Sequence, residues 1–319
     1  MTKTPLRISF LGGGTDMPYF YKRYGGSTFN TAINKFVFVT VKRHANYFFE
    51  TYRLNYHQSE NCNSISEIKN SIIRETIKYF KIKKPLYISV ISDVPSGTGL
   101  GGSSSFLVGL ISALCKLENI NTNKKKIFKI ASHIELNILK NPIGKQDYVP
   151  AIYGGLSYTV FKKNGDIKIK KFELGNFQIP MNIFWTNKTR TASRVLEFQK
   201  KKFLNNIISL LTLKKITDKF CKNLFKSDFL NIKELINSLN HSWDLKKSLS
   251  KKISFDKADR FINLVRSNLK GAKILGAGGG GFILVLGELS KIFLKRHSKK
   301  MMREKVISYN KGTEILIAK

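Results

Sequence analysis

The stretch Ser92-Asp-Val-Pro-Ser-Gly-Thr-Gly-Leu-Gly-Gly-Ser-Ser-Ser-Phe106 is the most informative part of this chain for predicting its fold. It follows a strand-like run, Leu86–Ile91, and leads into an apolar segment of helical character, Phe106–Leu114. The first N–H groups of a helix lack intrahelical partners and carry partial positive charge, so this order of elements is typical of an anion site. A polyphosphate is the expected ligand, and a capped helix after a flexible turn is the alternative interpretation.

Two common phosphate-binding motifs do not describe this loop. A Walker A motif needs Gly, four residues, Gly, Lys and then Ser or Thr, an order that the loop lacks. Gly97, Gly99 and Gly102 have the bare Gly-x-Gly-x-x-Gly spacing, but Pro95 precedes them and no acidic residue follows on a second strand at the required distance. A dinucleotide-binding fold is therefore not predicted.

Size and charge narrow the class of protein. The chain has 319 residues, of which 42% are apolar, enough for one large domain or two modest domains with buried cores. Its 56 Lys and Arg residues against 21 Asp and Glu give a formal net charge of +35, which raises the alternative of a basic nucleic-acid-binding protein. The lysines are spread along the chain and no aromatic-basic RNA motif is visible, so we predict no nucleic-acid partner.

Cysteine usage and hydropathy indicate the compartment. Cys62, Cys115 and Cys221 are widely spaced and odd in number, which supports neither a disulfide framework nor a zinc site. No signal peptide is recognised, and the longest apolar run, near Phe106–Leu117, is interrupted by Lys116 and is too short to span a bilayer. The sequence therefore predicts a cytoplasmic protein without a membrane partner.

Three further segments carry chemical groups. The N-terminal run Thr4-Pro-Leu-Arg-Ile-Ser-Phe-Leu-Gly-Gly-Gly-Thr-Asp16 predicts a strand that ends in a glycine turn with an acid, although a plain hairpin turn has the same pattern. Glu135 lies at the edge of an apolar helical stripe, where an exposed Glu paired with Lys is the simpler interpretation. Asp147 is the one acid of the loop Asn141–Gly155, and loops rich in Pro and Gly often position function.

The remaining pattern predicts an α+β protein, because helices and strands occur in both halves. Candidate helices are Ile65–Phe80, Lys124–Lys140, Ala192–Lys202, Asn205–Leu224, Asn231–Ser250 and Lys257–Leu269. Candidate strands are Ala32–Val41, the pair Leu156–Phe161 and Ile167–Phe172 around Asn164-Gly165, and two short buried strands within Ala272–Leu286 joined by a run of glycines.

Taken together and in order, three motifs resemble those of the GHMP family of small-molecule kinases. They are Pro5-Leu-Arg-Ile-Ser-Phe-Leu-Gly-Gly-Gly-Thr-Asp16, Pro95-Ser-Gly-Thr-Gly-Leu-Gly-Gly-Ser-Ser-Ser105 and Lys273-Ile-Leu-Gly-Ala-Gly-Gly-Gly-Gly281. The resemblance spans nearly the whole chain and implies an ATP-dependent phosphotransferase with an alcohol group as acceptor. It also implies a two-domain fold, with a ribosomal-S5-like N-terminal domain at residues 1–175 and a ferredoxin-like C-terminal domain at residues 176–319.

The resemblance implies ATP and Mg²⁺ as cofactors. Backbone N–H groups of the glycine-serine loop would bind the ATP phosphates, and the residues given this role are Pro95, Gly97, Thr98, Gly99, Leu100, Gly101, Gly102, Ser103 and Ser104. Ser103 resembles the family's magnesium-binding hydroxyl, with Ser104 in reserve, and Glu135 resembles its metal-ligand carboxylate. A hydroxyl and a carboxylate suit Mg²⁺, which takes oxygen ligands together with phosphate and water.

The resemblance also assigns catalytic and substrate-binding residues. Asp147 resembles the catalytic acid, as general base for the acceptor hydroxyl or as the group that orients it, and Arg7 resembles the arginine that balances its charge. The substrate-binding residues implied are Gly13, Gly14, Thr15, Asp16, Thr189, Arg190, Gly278 and Gly279.

Within the family, the first two motifs are most similar to the D-glycero-D-manno-heptose 7-phosphate kinase branch. That resemblance implies phosphorylation of the anomeric hydroxyl of a phosphorylated sugar to give a 1,7-bisphosphate. The chain departs from the branch in having Gln146-Asp147-Tyr148 without a second Gln, and Asn141-Pro142 at the loop entry. Three alternatives stay open: an anomeric kinase of an unphosphorylated sugar of the fucose or galactose type, the basic nucleic-acid-binding protein, and a catalytically inactive regulator. A homodimer is also compatible with the sequence.

Overall fold

The computed structural model describes residues 1–45, 47–189, 203–250, 252–297 and 301–316, with the backbone alone at residues 203–205. The strands of the first half are β1 (Thr2–Leu11), β2 (Gly26–Lys42), β3 (Tyr52–Asn55), β4 (Ser59–Cys62), β5 (Leu86–Ser92), β6 (Leu156–Phe161) and β7 (Ile167–Phe172). Its helices are α1 (Pro18–Tyr24), α2 (Ser71–Tyr79), α3 (Gly102–Leu117), α4 (Lys124–His133) and α5 (Tyr148–Tyr153).

The second half is richer in helix. Its helices are α6 (Phe203–Ser227), α7 (Ile232–Ser248), α8 (Asp256–Ser267) and α9 (Lys291–His297). Its strands are β8 (Met181–Trp185), β9 (Gly271–Ile274), β10 (Phe282–Leu286), β11 (Arg303–Val306) and β12 (Glu314–Ile315). The predicted helix Ala192–Lys202 lies outside the described residues.

The long strand β2 organises the first sheet, whose strand order is β12-β1-β2-β5-β3-β4. It pairs with β1 along one edge, and along the other edge it pairs first with β6 and then with β5. The strand β7 extends the sheet beyond β6 as the predicted hairpin around Asn164-Gly165. Helix α3 packs on β1 and β2, and its buried residues Leu110 and Leu114 belong to one core with these strands.

The second sheet has the order β11-β8-β10-β9 and is antiparallel throughout. Along the chain, this half runs from strand β8 through helices α6 to α8, strands β9 and β10 and helix α9 to strand β11. Together with the strand order of the sheet, this is the ferredoxin-like arrangement. The predicted two-domain α+β fold is confirmed. The proposed division after residue 175 falls between β7 and β8, while β12 returns to pair with β1 in the first sheet.

The two sheets are joined by buried contacts. Lys273 on β9 is 4% exposed and donates hydrogen bonds to the carbonyl oxygens of Ser9 and Phe10 on β1, at 3.0 and 3.1 Å. The ring of Phe220 on α6 lies 5.2 Å from that of Phe29 on β2. The second half of the chain therefore packs directly behind the N-terminal strand that carries the first motif.

Two predicted helices differ from the structure. Ile65–Phe80 is divided into a 3₁₀ turn, Ile65–Glu67, and α2, because the Glu60 carboxylate accepts the N–H groups of Lys69 and Asn70. Lys124–Lys140 ends its α-helical part at His133 and continues as a wider π turn, Ile134–Ile138. In the described part of the chain, no helix is both long and apolar enough to cross a membrane.

Candidate active site

The glycine-serine loop has the predicted geometry of an anion site. It connects the end of β5 to the start of α3, and Gly101 caps the helix with φ of 78°, a left-handed conformation that favours glycine. The Ser105 hydroxyl donates to the Pro5 carbonyl oxygen at 2.8 Å and ties the first turn of α3 to β1. Gly102, Ser103 and Ser104, the first residues of α3, line one cavity.

The loop is held in place by the first and third motifs. The N–H of Arg7 donates to the carbonyl of Leu100 at 3.0 Å, and the N–H of Phe282 donates to the carbonyl of Thr98 at 3.1 Å. A side chain at Gly99 would place its Cβ 2.5 Å from the Leu275 carbonyl oxygen. Close approach of bare backbone is therefore what Gly99 provides.

Arg7 and Asp147 form a bidentate ion pair at the cavity. The Nε and Nη2 atoms of Arg7 each donate to one carboxylate oxygen of Asp147, both at 2.7 Å. Its third contact is a hydrogen bond from Nη1 to the Gly99 carbonyl at 2.6 Å. The arginine is 4% exposed and the Asp147 side chain 23%, so the guanidinium fixes the carboxylate from behind while its outer face stays open.

Glu135 is buried instead of lying on the surface. The π turn carries it into the protein, where it is 1% exposed. Its two carboxylate oxygens accept hydrogen bonds from Ser103 Oγ at 3.1 Å and Tyr148 Oη at 2.6 Å. Burial raises the pKa of Glu135, and the two hydroxyls act against this rise. Such π turns often occur at functional sites.

The donor set around Glu135 fits a hard divalent cation. A carboxylate oxygen and a hydroxyl oxygen lie within hydrogen-bond distance of each other beside the helix terminus expected to receive phosphate. In the described residues there is no group of three or more His, Cys, Asp and Glu side chains that could hold a metal. A Mg²⁺ ion held here would therefore take further oxygen ligands from phosphate and water.

Asp16 is a second buried carboxylate in the same cavity. It is 1% exposed and accepts the N–H groups of Gly14 at 3.0 Å and Gln146 at 3.1 Å. Burial, and then the charge of Asp147, raise the pKa of Asp16 to about 6. Gly144 leaves room for this carboxylate, since a Cβ there would lie 1.7 Å from Asp16 Oδ2.

The cavity where these groups meet has a volume of about 170 Å³. The sequence-predicted residues that line it are Arg7, Gly14, Asp16, Pro95, Gly97, Thr98, Gly99, Gly101, Gly102, Ser103, Ser104, Glu135 and Asp147. Its other lining residues, which the sequence did not assign to the site, are Met17, Ile143, Gly144, Gln146, Lys246, Gly276 and Ala277. Three of these had a signal in the sequence: Gln146 precedes Asp147, and Gly276 and Ala277 belong to the third motif.

The other predicted site residues lie around or away from this cavity. Gly13 faces the Lys246 ammonium, and Leu100 is fully buried. The Thr15 hydroxyl oxygen lies 2.8 Å from the carbonyl oxygens of both Gly12 and Ser27, and Thr15 does not line the cavity. Gly278 and Gly279 pack against Ile253, Thr189 is exposed, and Arg190 lies outside the described residues.

A larger groove of about 1450 Å³ lies beside the cavity, between α1, α4 and the β6-β7 hairpin. It shares only the walls Met17 and Ile143 with the cavity and contains none of the predicted site residues. We assign the candidate active site to the smaller cavity, because the carboxylates, the guanidinium and the helix terminus converge there.

Comparison with known proteins finds kinase domain models and kinase relatives. The models of the GHMP kinase N-terminal and C-terminal domains match residues 68–155 and 220–299. A Campylobacter jejuni protein named D-glycero-alpha-D-manno-heptose 7-phosphate kinase is 32% identical over 308 residues, which cover 91% of this chain and 90% of the relative. A mevalonate kinase of Saccharolobus solfataricus is 28% identical over 72% of this chain and 71% of its own length.

A solved structure shares the fold. The crystal structure of a D-glycero-D-manno-heptose 1-phosphate kinase from Bacteroides thetaiotaomicron matches with a TM-score of 0.76 over 99% of both chains, at 19% identity. An ATP-dependent kinase, the enzyme class that the sequence predicts, is confirmed by the two domain models and the C. jejuni relative. The chain belongs to the GHMP kinase family.

Proposed function

We propose that this kinase transfers the γ-phosphate of ATP to the anomeric hydroxyl of D-glycero-D-manno-heptose 7-phosphate and so forms the 1,7-bisphosphate. The observation that carries the proposal is the Arg7–Asp147 ion pair beside the start of α3, in a cavity shared with Ser103 and Glu135. The acceptor is inferred from the C. jejuni relative, which bears the name of a heptose 7-phosphate kinase. The similar motifs Gly12–Asp16 and Gly99–Ser104 support the same branch.

Asp147 would receive the acceptor hydroxyl. Arg7 occupies one side of each carboxylate oxygen, so the remaining lone pairs point to the open face of the cavity. A sugar hydroxyl that donates to Asp147 is thereby oriented for attack, and Asp147 takes its proton as the bond to phosphorus forms. A loose transition state leaves that proton in place until late, so orientation is the larger part of this role.

The start of α3 would hold the phosphates of ATP. Residues of the loop and the first residues of α3 line the cavity. N–H groups at a helix start lack intrahelical partners, so we expect them to stabilise negative charge on phosphoryl oxygens. Ser103 and Glu135 are the residues that would hold Mg²⁺. The ion, when bound, neutralises charge on the β- and γ-phosphate oxygens.

Asp16 would accept hydrogen bonds from sugar hydroxyls. The N–H groups of Gly14 and Gln146 fix both of its oxygens, so its position is set before the sugar binds. Gly14, which lines the same cavity, has no side chain and leaves space for the sugar beside Asp16.

The test is ADP release by the purified protein with Mg-ATP over a panel of sugars. The panel contains heptose 7-phosphate, unphosphorylated heptose, fucose, galactose and mevalonate, and phosphorus NMR locates the new phosphate. We expect the highest kcat/KM with heptose 7-phosphate and a product phosphorylated at C1. A higher kcat/KM for any unphosphorylated acceptor, or a product without a C1 phosphate, would contradict the proposal.

A further inference from the structure

The space over Gly13 is bounded by polar atoms from three different elements. A Cβ built on Gly13 would lie 3.5 Å from Gln146 Nε2, 3.6 Å from Ser9 Oγ and 3.7 Å from Lys246 Nζ. The backbone of Gly13 is not in the left-handed region, so its conformation does not require glycine. The missing side chain instead leaves open a small space at the edge of the catalytic cavity, which we call the Gly13 cradle.

Two of the three groups present hydrogen-bond donors to this cradle. The Ser9 hydroxyl donates to Gln146 Oε1 at 2.8 Å, which fixes the amide so that its NH₂ group faces Gly13. The Lys246 ammonium donates to the Gly276 carbonyl at 2.6 Å and is thereby held at the cavity wall. Both groups are hydrogen-bond donors, since an ammonium has three N–H donors and an amide has two.

The charge around the cradle favours an anion. Lys246 is 9% exposed and Lys273, buried behind Ser9, carries a second amine. The pKa of Lys273 lies well below its ordinary value, first because of burial and then because of the positive charges of Lys246 and Arg7. Arg7, the third basic group, has its Nε and Nη2 donors taken up by Asp147. A buried cluster of amines beside an open space is stabilised by a ligand that brings negative charge.

We propose that the Gly13 cradle binds the phosphate group that the acceptor already carries, through Lys246 Nζ and Gln146 Nε2. The inference rests on the proposed function, because it needs a phosphorylated acceptor. Gln146, Lys246 and Asp147 line one cavity, and in this proposal an acceptor whose reacting hydroxyl contacts Asp147 extends toward Gly13. Lys246 is therefore a specificity-determining residue: it selects phosphorylated over unphosphorylated sugar.

Two variants test the cradle by different means. Lys246→Met removes the ammonium, while Gly13→Ala fills the space with a methyl group whose nearest contact is an ordinary 3.5 Å. The matched control is Lys247→Gln, because Lys247 is exposed and pairs with Asp259 at 3.1 Å. The readouts are kcat and KM for heptose 7-phosphate, for unphosphorylated heptose and for ATP.

We expect both variants to raise the KM for heptose 7-phosphate by about 10- to 100-fold, the range for a lost charge-assisted hydrogen bond. The kcat/KM for unphosphorylated heptose and the KM for ATP should stay within about threefold of wild type, and Lys247→Gln should match wild type throughout.

Three results would overturn the inference while leaving the proposed function intact. They are an unchanged preference for phosphorylated sugar in both variants, an equal loss with both sugars, and a rise in the KM for ATP in place of the acceptor, which would assign the cradle to the donor phosphates. If the wild-type enzyme itself does not prefer the phosphorylated sugar, the proposed function fails and the inference fails with it. If Lys246→Met does not fold, Gly13→Ala alone tests whether the cradle binds the acceptor phosphate.

Discussion

Asp16 and Asp147 are two carboxylates in one cavity with different surroundings. Asp147 faces a guanidinium, whereas Asp16 is fixed by two backbone N–H groups and is buried without a cation in hydrogen-bond contact among the described residues. Two carboxylates in such different environments can have different roles. We assign the reacting hydroxyl to Asp147 and the other sugar hydroxyls to Asp16.

The raised pKa of Asp16 predicts a pH-dependent affinity for the acceptor. Asp16 accepts hydrogen bonds from sugar hydroxyls best when it is ionised, and its pKa is about 6. We therefore expect the KM for the acceptor to fall by about tenfold as the pH rises from 5 to 7, while the KM for ATP changes little. Steady-state kinetics across this pH range measures both constants.

The acceptor phosphate also titrates near pH 6, so the same profile must be recorded for Asp16→Asn. In Asp16→Asn, the part of the pH dependence of KM that comes from the substrate persists, and the part that comes from Asp16 is lost. Identical pH profiles for the wild type and Asp16→Asn would show that this carboxylate does not titrate in the working range.

At the scale of single residues, the sequence predicted candidate site residues but not their contacts. Asp147, Glu135 and Ser103 were named because motif order resembles a known family. The hydrogen bond from Tyr148 to Glu135 and the space that Gly144 leaves for Asp16 depend on tertiary contacts, so the sequence pattern could not supply them.

At the scale of elements, the phosphate loop depends on close packing against the third motif. Gly99 has φ of 84°, and a Cβ there would lie 2.5 Å from the Leu275 carbonyl oxygen. In the same loop, a Cβ at Gly102 meets nothing within 4 Å, and its φ is not left-handed. The two glycines therefore differ in what they contribute to the fold.

This difference predicts unequal effects of alanine substitution. We expect Gly99→Ala to lower the free energy of unfolding by about 2 kcal/mol or more, from a strained backbone and a displaced carbonyl. Gly102→Ala should change it by less than about 1 kcal/mol, since alanine suits a helix start. Denaturant unfolding of the protein without ligand compares them, and equal destabilisation would contradict the packing described for this loop.

Element boundaries were predictable where the determinants are local. The order β5, loop, α3 and the β6-β7 hairpin follow from glycines and periodicity in short windows. The break before α2 does not, because the group that causes it, Glu60, lies on the neighbouring strand β4. The π turn that buries Glu135 likewise leaves the apolar periodicity of its segment nearly unchanged.

At the scale of the whole molecule, Lys273 joins the two sheets directly behind the active site. Its buried amine has a pKa well below the ordinary value of 10.5. The folded chain therefore releases this proton at a pH where the unfolded chain still holds it. Because the unfolded state then binds more protons, stability rises with pH over the interval below 10.5.

Lys273→Met removes this contribution. We expect the free energy of unfolding of the wild type to rise relative to that of Lys273→Met between pH 7 and pH 10, as measured by urea denaturation. Lys257→Met, at an exposed position on α8, is the matched control and should follow the wild type. A wild-type curve parallel to that of Lys273→Met would mean that the amine titrates as it does in water.

The division into two sheets was predictable from the resemblance, but their connection was not. The strand β12 is two residues long and pairs with β1 across almost the full length of the chain, and so short a segment carries no periodicity. The formal net charge of +35 is a property of the whole sequence, and the absence of a nucleic-acid partner stays a prediction.

The most direct test of the central claim compares wild-type protein with Asp147→Asn in ADP release on heptose 7-phosphate with Mg-ATP. Asp228→Asn, at an exposed turn, is the control for loss of a carboxylate. We predict that the wild type and Asp228→Asn form the C1-phosphorylated product at equal rates, and that Asp147→Asn loses about 10²- to 10⁴-fold in kcat. Undiminished turnover by Asp147→Asn would contradict the account.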